Sequence, residues 1–387
     1  MKNIILIILD GVGIGELPDA KDYGDVGSDT LGNLSKHVDG LQLPNLQKFG
    51  LANIKPLQNY QPVENPQASF GKMKEISIGK DSTSGHWEMA GLTVDFKFPT
   101  YEYGFPTDLV ERFISKTNVK GILGNKVASG TDIITELGKE HTETGLPIVY
   151  TSADSVFQIA AHEDVISVDE LYKICEITRK EVCINEHNVG RIIARPFIGD
   201  PGNFTRTTNR KDFSVNPTSE TILDLLTENS IETIGIGKVN DLFNNVGIQT
   251  QIKTKSNTEG IKEIVSSIKS KSNSFIFANL VDFDVYFGHR LDPEGFHNCL
   301  IEFDNHLPEI IAAMDESDSL IISADHGNDP TSTSTDHSRE YVPLLYYTKN
   351  SESNNLGIRE TFSDVAQTIA HYFEINNTLK GTSFQEE

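Results

Sequence analysis

The strongest pattern along the chain is the apolar run that stops abruptly at acidic residues. Ile4-Ile5-Leu6-Ile7-Ile8-Leu9 carries no polar side chain, Ser274-Phe275-Ile276-Phe277-Ala278-Asn279-Leu280-Val281 carries few, and Leu320-Ile321-Ile322 is short but wholly apolar. Runs without alternation predict strands buried on both faces, as in a parallel sheet layered between helices. The first ends in Asp10-Gly11, and the second runs into Asp282-Phe283-Asp284 with Gly288-His289-Arg290 just after. The third enters Ser323-Ala324-Asp325-His326-Gly327-Asn328-Asp329-Pro330, with Asp336-His337 beyond.

Helical spacing fills the intervals. Ile261, Ile264, Val265 and Ile268 recur at helical period, and so do the stretches Ser219–Leu226 and Phe296–Met314. Ala366, Ile369, Ala370 and Phe373 mark a last helix with Ser363 as its expected cap. Ile231–Lys238 predicts a strand and loop, and Tyr341–Tyr347 predicts an edge strand because it contains Pro343. Alternating strands and helices imply a mainly parallel sheet with right-handed crossovers. Between these halves the texture changes to short strands (Gly145–Tyr150), helical patches (Asp169–Cys175) and a basic cluster of Arg191, Arg195, Arg206 and Arg210. At 387 residues the chain exceeds one ordinary core. The expected architecture is an α/β core formed by residues 1–98 and 216–387, with an inserted α+β domain over 99–215.

Composition narrows the function. A formal net charge of -23, from 56 acidic against 33 basic residues, argues against nonspecific nucleic-acid binding, which needs a basic footprint. The three cysteines, Cys175, Cys183 and Cys299, lack zinc-site spacing and form an odd set, so neither a disulfide framework nor a thiolate centre is expected. Lys2 and the following apolar run mimic a signal peptide, but the run is short and lacks a small-residue cleavage pattern. With no transmembrane stretch, a cytoplasmic, monomeric protein with no membrane or nucleic-acid partner is expected.

Asp10-Gly11-Val12-Gly13-Ile14-Gly15 is not a dinucleotide fingerprint, since the motif is incomplete, Asp10 would face a pyrophosphate, and Pro18 and Asp19 interrupt any following helix. In Gly79-Lys80-Asp81-Ser82-Thr83-Ser84-Gly85-His86-Trp87-Glu88, a hydroxyl is either a helix cap or, beside a divalent cation, an alkoxide nucleophile. Strand C-termini of a parallel sheet gather at one edge, so Asp10, Asp284, His289, Asp325, His326 and His337 are expected to converge. Strand alternation alone leaves Asp282 and Asp284 equivalent. Six oxygen and nitrogen ligands suit two metal sites sharing a nucleophile. Carboxylates and imidazoles without thiolates fit Mn²⁺, Mg²⁺ or Zn²⁺, with three acids favouring Mn²⁺. His86, His162, His297, His306 and His371 are read as structural.

The Asp10-Gly11 strand end, the Asp284–His289 segment and Ala324-Asp325-His326-Gly327-Asn328 with His337 resemble the metal-binding signature of the alkaline phosphatase superfamily. Within it, Gly79-Lys80-Asp81, Gly85-His86-Trp87-Glu88, Tyr150-Thr151-Ser152-Ala153-Asp154-Ser155, Arg195-Pro196-Phe197, Gly202-Asn203-Phe204-Thr205-Arg206 and Thr335-Asp336-His337-Ser338-Arg339-Glu340 resemble the phosphopentomutase family, from end to end of the chain. The resemblance implies a dimetal core with an inserted cap, and isomerisation of the 1- and 5-phosphates of ribose and deoxyribose. It assigns Asp10, Asp325 and His326 to one Mn²⁺ and Asp284, His289 and His337 to the other, choosing Asp284 over Asp282. The family nucleophile is a Thr directly after Lys-Asp; here Ser82 holds that position, with Thr83 as the alternative. Substrate contacts are implied at Ser152, Asp154, Arg191, Ile193, Arg206 and Lys238. The resemblance further implies a phosphorylated intermediate, a sugar bisphosphate as activator, and exclusion of water on closure. The rival readings are a cofactor-independent phosphoglycerate mutase, which shares the core and uses Ser, a metal-dependent phosphatase of the same superfamily, and a noncatalytic metal-stabilised binding protein.

Overall fold

Every residue of β1 (Asn3–Leu9) is buried. In the computed structural model, which describes residues 2–152, 155–350 and 352–385, the chain divides into two compact units: residues 1–95 with 217–387, and residues 96–216. With strands numbered along the chain, the first unit contains β1, β2 (Ser69–Met73) and, after the second unit's strands, β9 (Glu232–Ile236), β10 (Thr250–Ile252), β11 (Ser274–Leu280), β12 (Ser319–Ser323), β13 (Val342–Thr348) and β14 (Asn355–Arg359). They form one sheet in the order β10-β9-β11-β1-β12-β13-β2-β14.

From β10 to β12 every pairing is parallel. β1 lies between β11 and β12, with Ile7 opposite Ala278 on one side and Ile322 on the other. The C-terminal ends of β9, β11, β1 and β12 therefore open on one edge, and each is followed by polar residues. Helices cover the sheet. Asn257–Ser270 buries Ile261, Ile264, Val265 and Ile268, and is capped by Ser256, which accepts from the Glu259 N–H.

Three local expectations are corrected. β13 is an interior strand, antiparallel to both β12 and β2. Proline is tolerated because the β12 ladder ends at the Ile322–Leu345 pair; beyond it, the Pro343 carbonyl accepts from the Ser323 hydroxyl, so the missing N–H faces a place where no ladder continues. Ser363 flanks the last helix, Asp364–Tyr372, but does not cap it: its hydroxyl donates to the Glu88 carbonyl instead. Finally, strand alternation does not extend to Asp282 and Asp284. β11 stops at Leu280, and Phe283–Gly288 forms a wide π-helical turn. Asp282 is turned to accept the Asn257 N–H at the start of the neighbouring helix, and Asp284 is buried elsewhere.

The second unit holds β3 (Leu123–Val127), β4 (Ile148–Thr151), β5 (Val156–His162), β6 (Arg191–Ile198), β7 (Thr205–Arg206) and β8 (Lys211–Ser214), ordered β3-β4-β5-β6-β7, with β8 also paired to β6. Alternation sorts its core onto two faces. Val149, Phe157 and Ile159 pack with Leu109, Phe113, Leu171 and Ile174, while Ile148, Tyr150 and Ala160 pack with Ile133 and Ile134. Among the described residues, no helix is long and apolar enough to cross a membrane.

Candidate metal centre and nucleophile

Asp10 directly follows β1, and Asp325 and His326 follow β12. Nε2 of His326 lies 3.3 Å from Asp10 Oδ1 and 3.5 Å from Asp325 Oδ2, and all three side chains are buried. Gly11 makes the turn possible. It has a φ of +78°, a Cβ there would meet the Asn328 Cβ at 3.0 Å, and its N–H donates to Asp325 Oδ1 at 3.2 Å. Asp284 brings the second cluster, with Oδ1 lying 3.4 Å from His337 Nε2 and Oδ2 3.1 Å from His289 Nε2. Asp10, Asp325 and His326 offer atoms all within 4.8 Å of one another, and so do Asp284, His326 and His337. All six residues singled out in the sequence thus meet at one sheet edge, with His326 common to both groups and His289 reaching the far oxygen of Asp284.

Backbone carbonyls set the imidazole tautomers. Nδ1 of His289 donates to Thr335 O at 2.7 Å and Nδ1 of His326 to Gly327 O at 3.1 Å, which leaves each Nε2 facing the carboxylates. Burial alone would raise the Asp284 carboxyl, but the His289 and His337 imidazoles beside it hold it well below the usual range. Burial likewise opposes the His326 charge, yet the Asp325 and Asp10 carboxylates hold its imidazolium well above the ordinary value. Even so, Asp10 Oδ1, Asp325 Oδ2 and His337 Nε2 are buried without a hydrogen-bond partner. Acceptors crowded together and left unsatisfied are costly. A divalent cation is the group that satisfies them, so the residues present fit a metal.

Asp81 caps the helix Ser82–Met89, its carboxylate accepting from the N–H groups of Thr83 and Ser84. None of the hydroxyls expected as caps takes that role, so Ser82, the first helical residue, turns its Oγ to the cluster. That oxygen lies 3.3 Å from His326 Nε2 and 3.3 Å from Lys238 Nζ. Lys238 follows β9, at the same sheet edge. Gly85 allows the approach, because a Cβ there would lie 2.1 Å from the Asp325 carbonyl oxygen.

Several supporting residues escaped the sequence. Asn328 donates to Asp284 Oδ1 at 2.7 Å and Asn279 to Asp10 Oδ2 at 3.0 Å. Lys80 pairs with both Asp25 and Asp336 at 3.1 Å, and Arg339 binds Glu75 at 2.8 Å and the Gly79 carbonyl at 2.6 Å. Asn328 sat inside the Asp-His-Gly-Asn motif, and a polar Asn279 inside an apolar strand was a visible signal. Asp25 carried none.

In the second unit, Arg191, Arg195 and Arg210 line a cavity of about 290 Å³ together with Ser152 and Ile193. Arg210 is held by Asp212 through two bonds of 2.8 and 2.9 Å, and Arg195 donates to Gln158 at 3.2 Å. Arg206 is exposed on β7. Burial raises the Tyr150 phenol in spite of Arg195, Arg206 and Arg210 nearby. Asp154 lies outside the described residues.

The profile of the metalloenzyme superfamily matches residues 2–377. A curated phosphopentomutase from Clostridium kluyveri is 52% identical over 387 residues, spanning 100% of this chain and 99% of that protein. Another, from Dictyoglomus thermophilum, is 55% identical over 385 residues, 99% of this chain and 98% of that one. A solved structure from Pyrococcus horikoshii shares the fold at 14% identity, with a TM-score of 0.50 over 98% of this chain and 99% of that one.

Proposed function

The chain belongs to the phosphopentomutase family of the metalloenzyme superfamily, and from that premise we propose that it interconverts the 1- and 5-phosphates of ribose and deoxyribose with Ser82 as the phosphoryl carrier. The observation that carries this reading is the Ser82 hydroxyl, 3.3 Å from Nε2 of His326, the residue common to both candidate metal groups.

Asp10, Asp325 and His326 would hold one ion and Asp284, His289 and His337 the other, with Mn²⁺ the best match to this donor set. Such ions, when bound, supply positive charge that favours the alkoxide and neutralises phosphoryl oxygens. Lys238 adds a fixed cation and donor beside the same oxygen. In the forward cycle, a sugar hydroxyl attacks the phosphoserine. The new O–P bond forms as the Ser82 Oγ–P bond breaks, giving a sugar bisphosphate and the free serine. Ser82 then takes the other phosphoryl group from the bisphosphate, releasing the isomeric monophosphate. A sugar bisphosphate therefore primes the unphosphorylated enzyme. Ser152, Asp154, Arg191, Ile193 and Arg206 are proposed to hold the pentose phosphate, and the arginine-lined cavity supports this because a guanidinium fork matches phosphate oxygens. Cys175, Cys183 and Cys299 are buried and unpaired, which suits a reducing cytoplasm.

The test supplies ribose 1-phosphate, Mn²⁺ and a sugar bisphosphate to the wild type and to Ser82→Ala. Ribose 5-phosphate is expected from the first only. Stoichiometric free phosphate with no isomer would show a phosphatase of the same superfamily instead.

A further inference from the structure

His86 and Asn279 belong to neither metal group, yet they stand between one of those groups and the nucleophile. His86 is wholly buried and lies flat on Phe277, with ring centroids 5.4 Å apart and planes 25° apart. Asn279 is two residues further along β11, hence on the same face of the sheet. Its Nδ2 lies 3.0 Å from Asp10 Oδ2 and 3.1 Å from His86 Nε2, while His86 Nδ1 lies 2.8 Å from the Ser82 carbonyl oxygen.

The donor directions follow from what each end can accept. A carboxylate and a peptide carbonyl only accept hydrogen bonds, so the amide nitrogen of Asn279 faces Asp10, and Nδ1 of His86 carries the proton given to the Ser82 carbonyl at 2.8 Å, with Asp325 Oδ2 beside that bond at 3.2 Å. Nε2 is then the unprotonated nitrogen, and the second Asn279 N–H fills it. One continuous set of bonds joins the Asp10 carboxylate, through Asn279 and His86, to the peptide of the nucleophile.

We propose that His86 and Asn279 are positioning residues, a hydrogen-bonded relay that sets the Ser82 hydroxyl against the carboxylates of the metal centre. The proposal rests on Ser82 being the phosphoryl carrier. The helix Ser82–Met89 is short, and Gly85 lets it slide close against Asp325; the relay fixes where along that contact the first turn stops. Displacement of a nucleophile by about 1 Å costs on the order of 10²-fold in rate, whereas substrate binding has no reason to change.

The experiment uses full-length, metal-loaded enzyme. His86→Phe keeps the ring on Phe277 but removes both nitrogens, and is expected to lower kcat about 30-fold with KM within about 3-fold of wild type. His86→Asn retains a donor near the Nδ1 position but loses the partner of Asn279, and is expected to recover part of that loss. Asn279→Leu, which cuts both links, is expected to lower kcat similarly and to weaken Mn²⁺ binding about 10-fold by calorimetry. In the double variant the loss should equal the larger single loss, because one relay can be broken only once. Losses that multiply, a KM change in place of a kcat change, or His86→Asn no better than His86→Phe in cooperatively melting protein would overturn the relay. Nitrogen-15 NMR of the Mg²⁺-loaded wild type gives a readout independent of activity and of whether variants fold: a proton on Nε2 of His86, alone or together with one on Nδ1, refutes the proposal, and a proton on Nδ1 alone supports it. A wild type that shows the Nδ1–H form but no isomerase activity would instead refute the phosphopentose reading.

Discussion

Two regions of the molecule handle charge in opposite ways. At the strand ends of the first unit, Asp10, Asp284 and Asp325 are buried among imidazoles, and some of their oxygens have no partner. In the second unit the charges are cationic, half-buried or exposed, and partly engaged by carboxylate or amide groups such as Asp212 and Gln158. Buried, unsatisfied acceptors on rigid strand ends are preorganised for a compact cation that strips away water. Guanidinium groups around an open cavity suit an anion that must enter and leave. On the proposed function the first region reacts and the second holds the substrate, so changes at the first should alter kcat, and changes at the second should alter KM.

The largest effect expected is that of Ser82→Ala, which should lower kcat by about 10³-fold or more, with phosphate absent from the Ser82 peptide by mass spectrometry. Next, Asp10→Asn should cost about 10²-fold in activity and weaken metal binding, and a chelator should silence the wild type until Mn²⁺ is restored. Glu340 sharpens the comparison because it is a buried acid that needs no ion. Its oxygens accept from the Gly15 and Thr30 N–H groups and the Thr30 and Ser338 hydroxyls at 2.7–3.1 Å. Burial pushes its pKa from 4.5 up to about 7 despite those bonds. The folded state therefore binds the proton more tightly than the unfolded chain, and the stability so gained is full below about pH 4.5 and lost as pH rises through about 7. Urea midpoints should fall across that window by an amount worth up to about 3 kcal/mol, and less in Glu340→Gln. At the second region, Arg195→Met should raise KM about 10-fold with kcat nearly unchanged; a loss confined to kcat would erase the contrast. Smallest of all, Thr83→Ala should leave turnover within about 3-fold, since the Thr83 N–H is bound to Asp81 and the proposed nucleophile is its neighbour.

Much of the first region was legible because β1, β11 and β12 announce themselves as apolar runs and each empties into acids or imidazoles. Periodicity fails where it stops. The break between Leu280 and the Phe283–Gly288 turn hid which acid, Asp282 or Asp284, faces the cluster, and only the packed coordinates send Asp282 to the Asn257 N–H. Likewise, three adjacent hydroxyls looked like caps until Asp81 took the position. Pro343 suggested an edge for want of knowledge that the β12 ladder reaches only Leu345, two residues short of the proline.

The sequence by itself determined the α/β fold class, the strand ends and the residue types able to hold metal and phosphoryl groups, because these follow from local pattern and side-chain chemistry. Tertiary structure alone decided that His326 is common to both groups and that the hydroxyl of Ser82 points at it. It also decided that Asn279 and His86 stand between Asp10 and the Ser82 peptide. Most of those relations join residues far apart in the chain, and they are fixed only when parallel strands bring their ends to one edge.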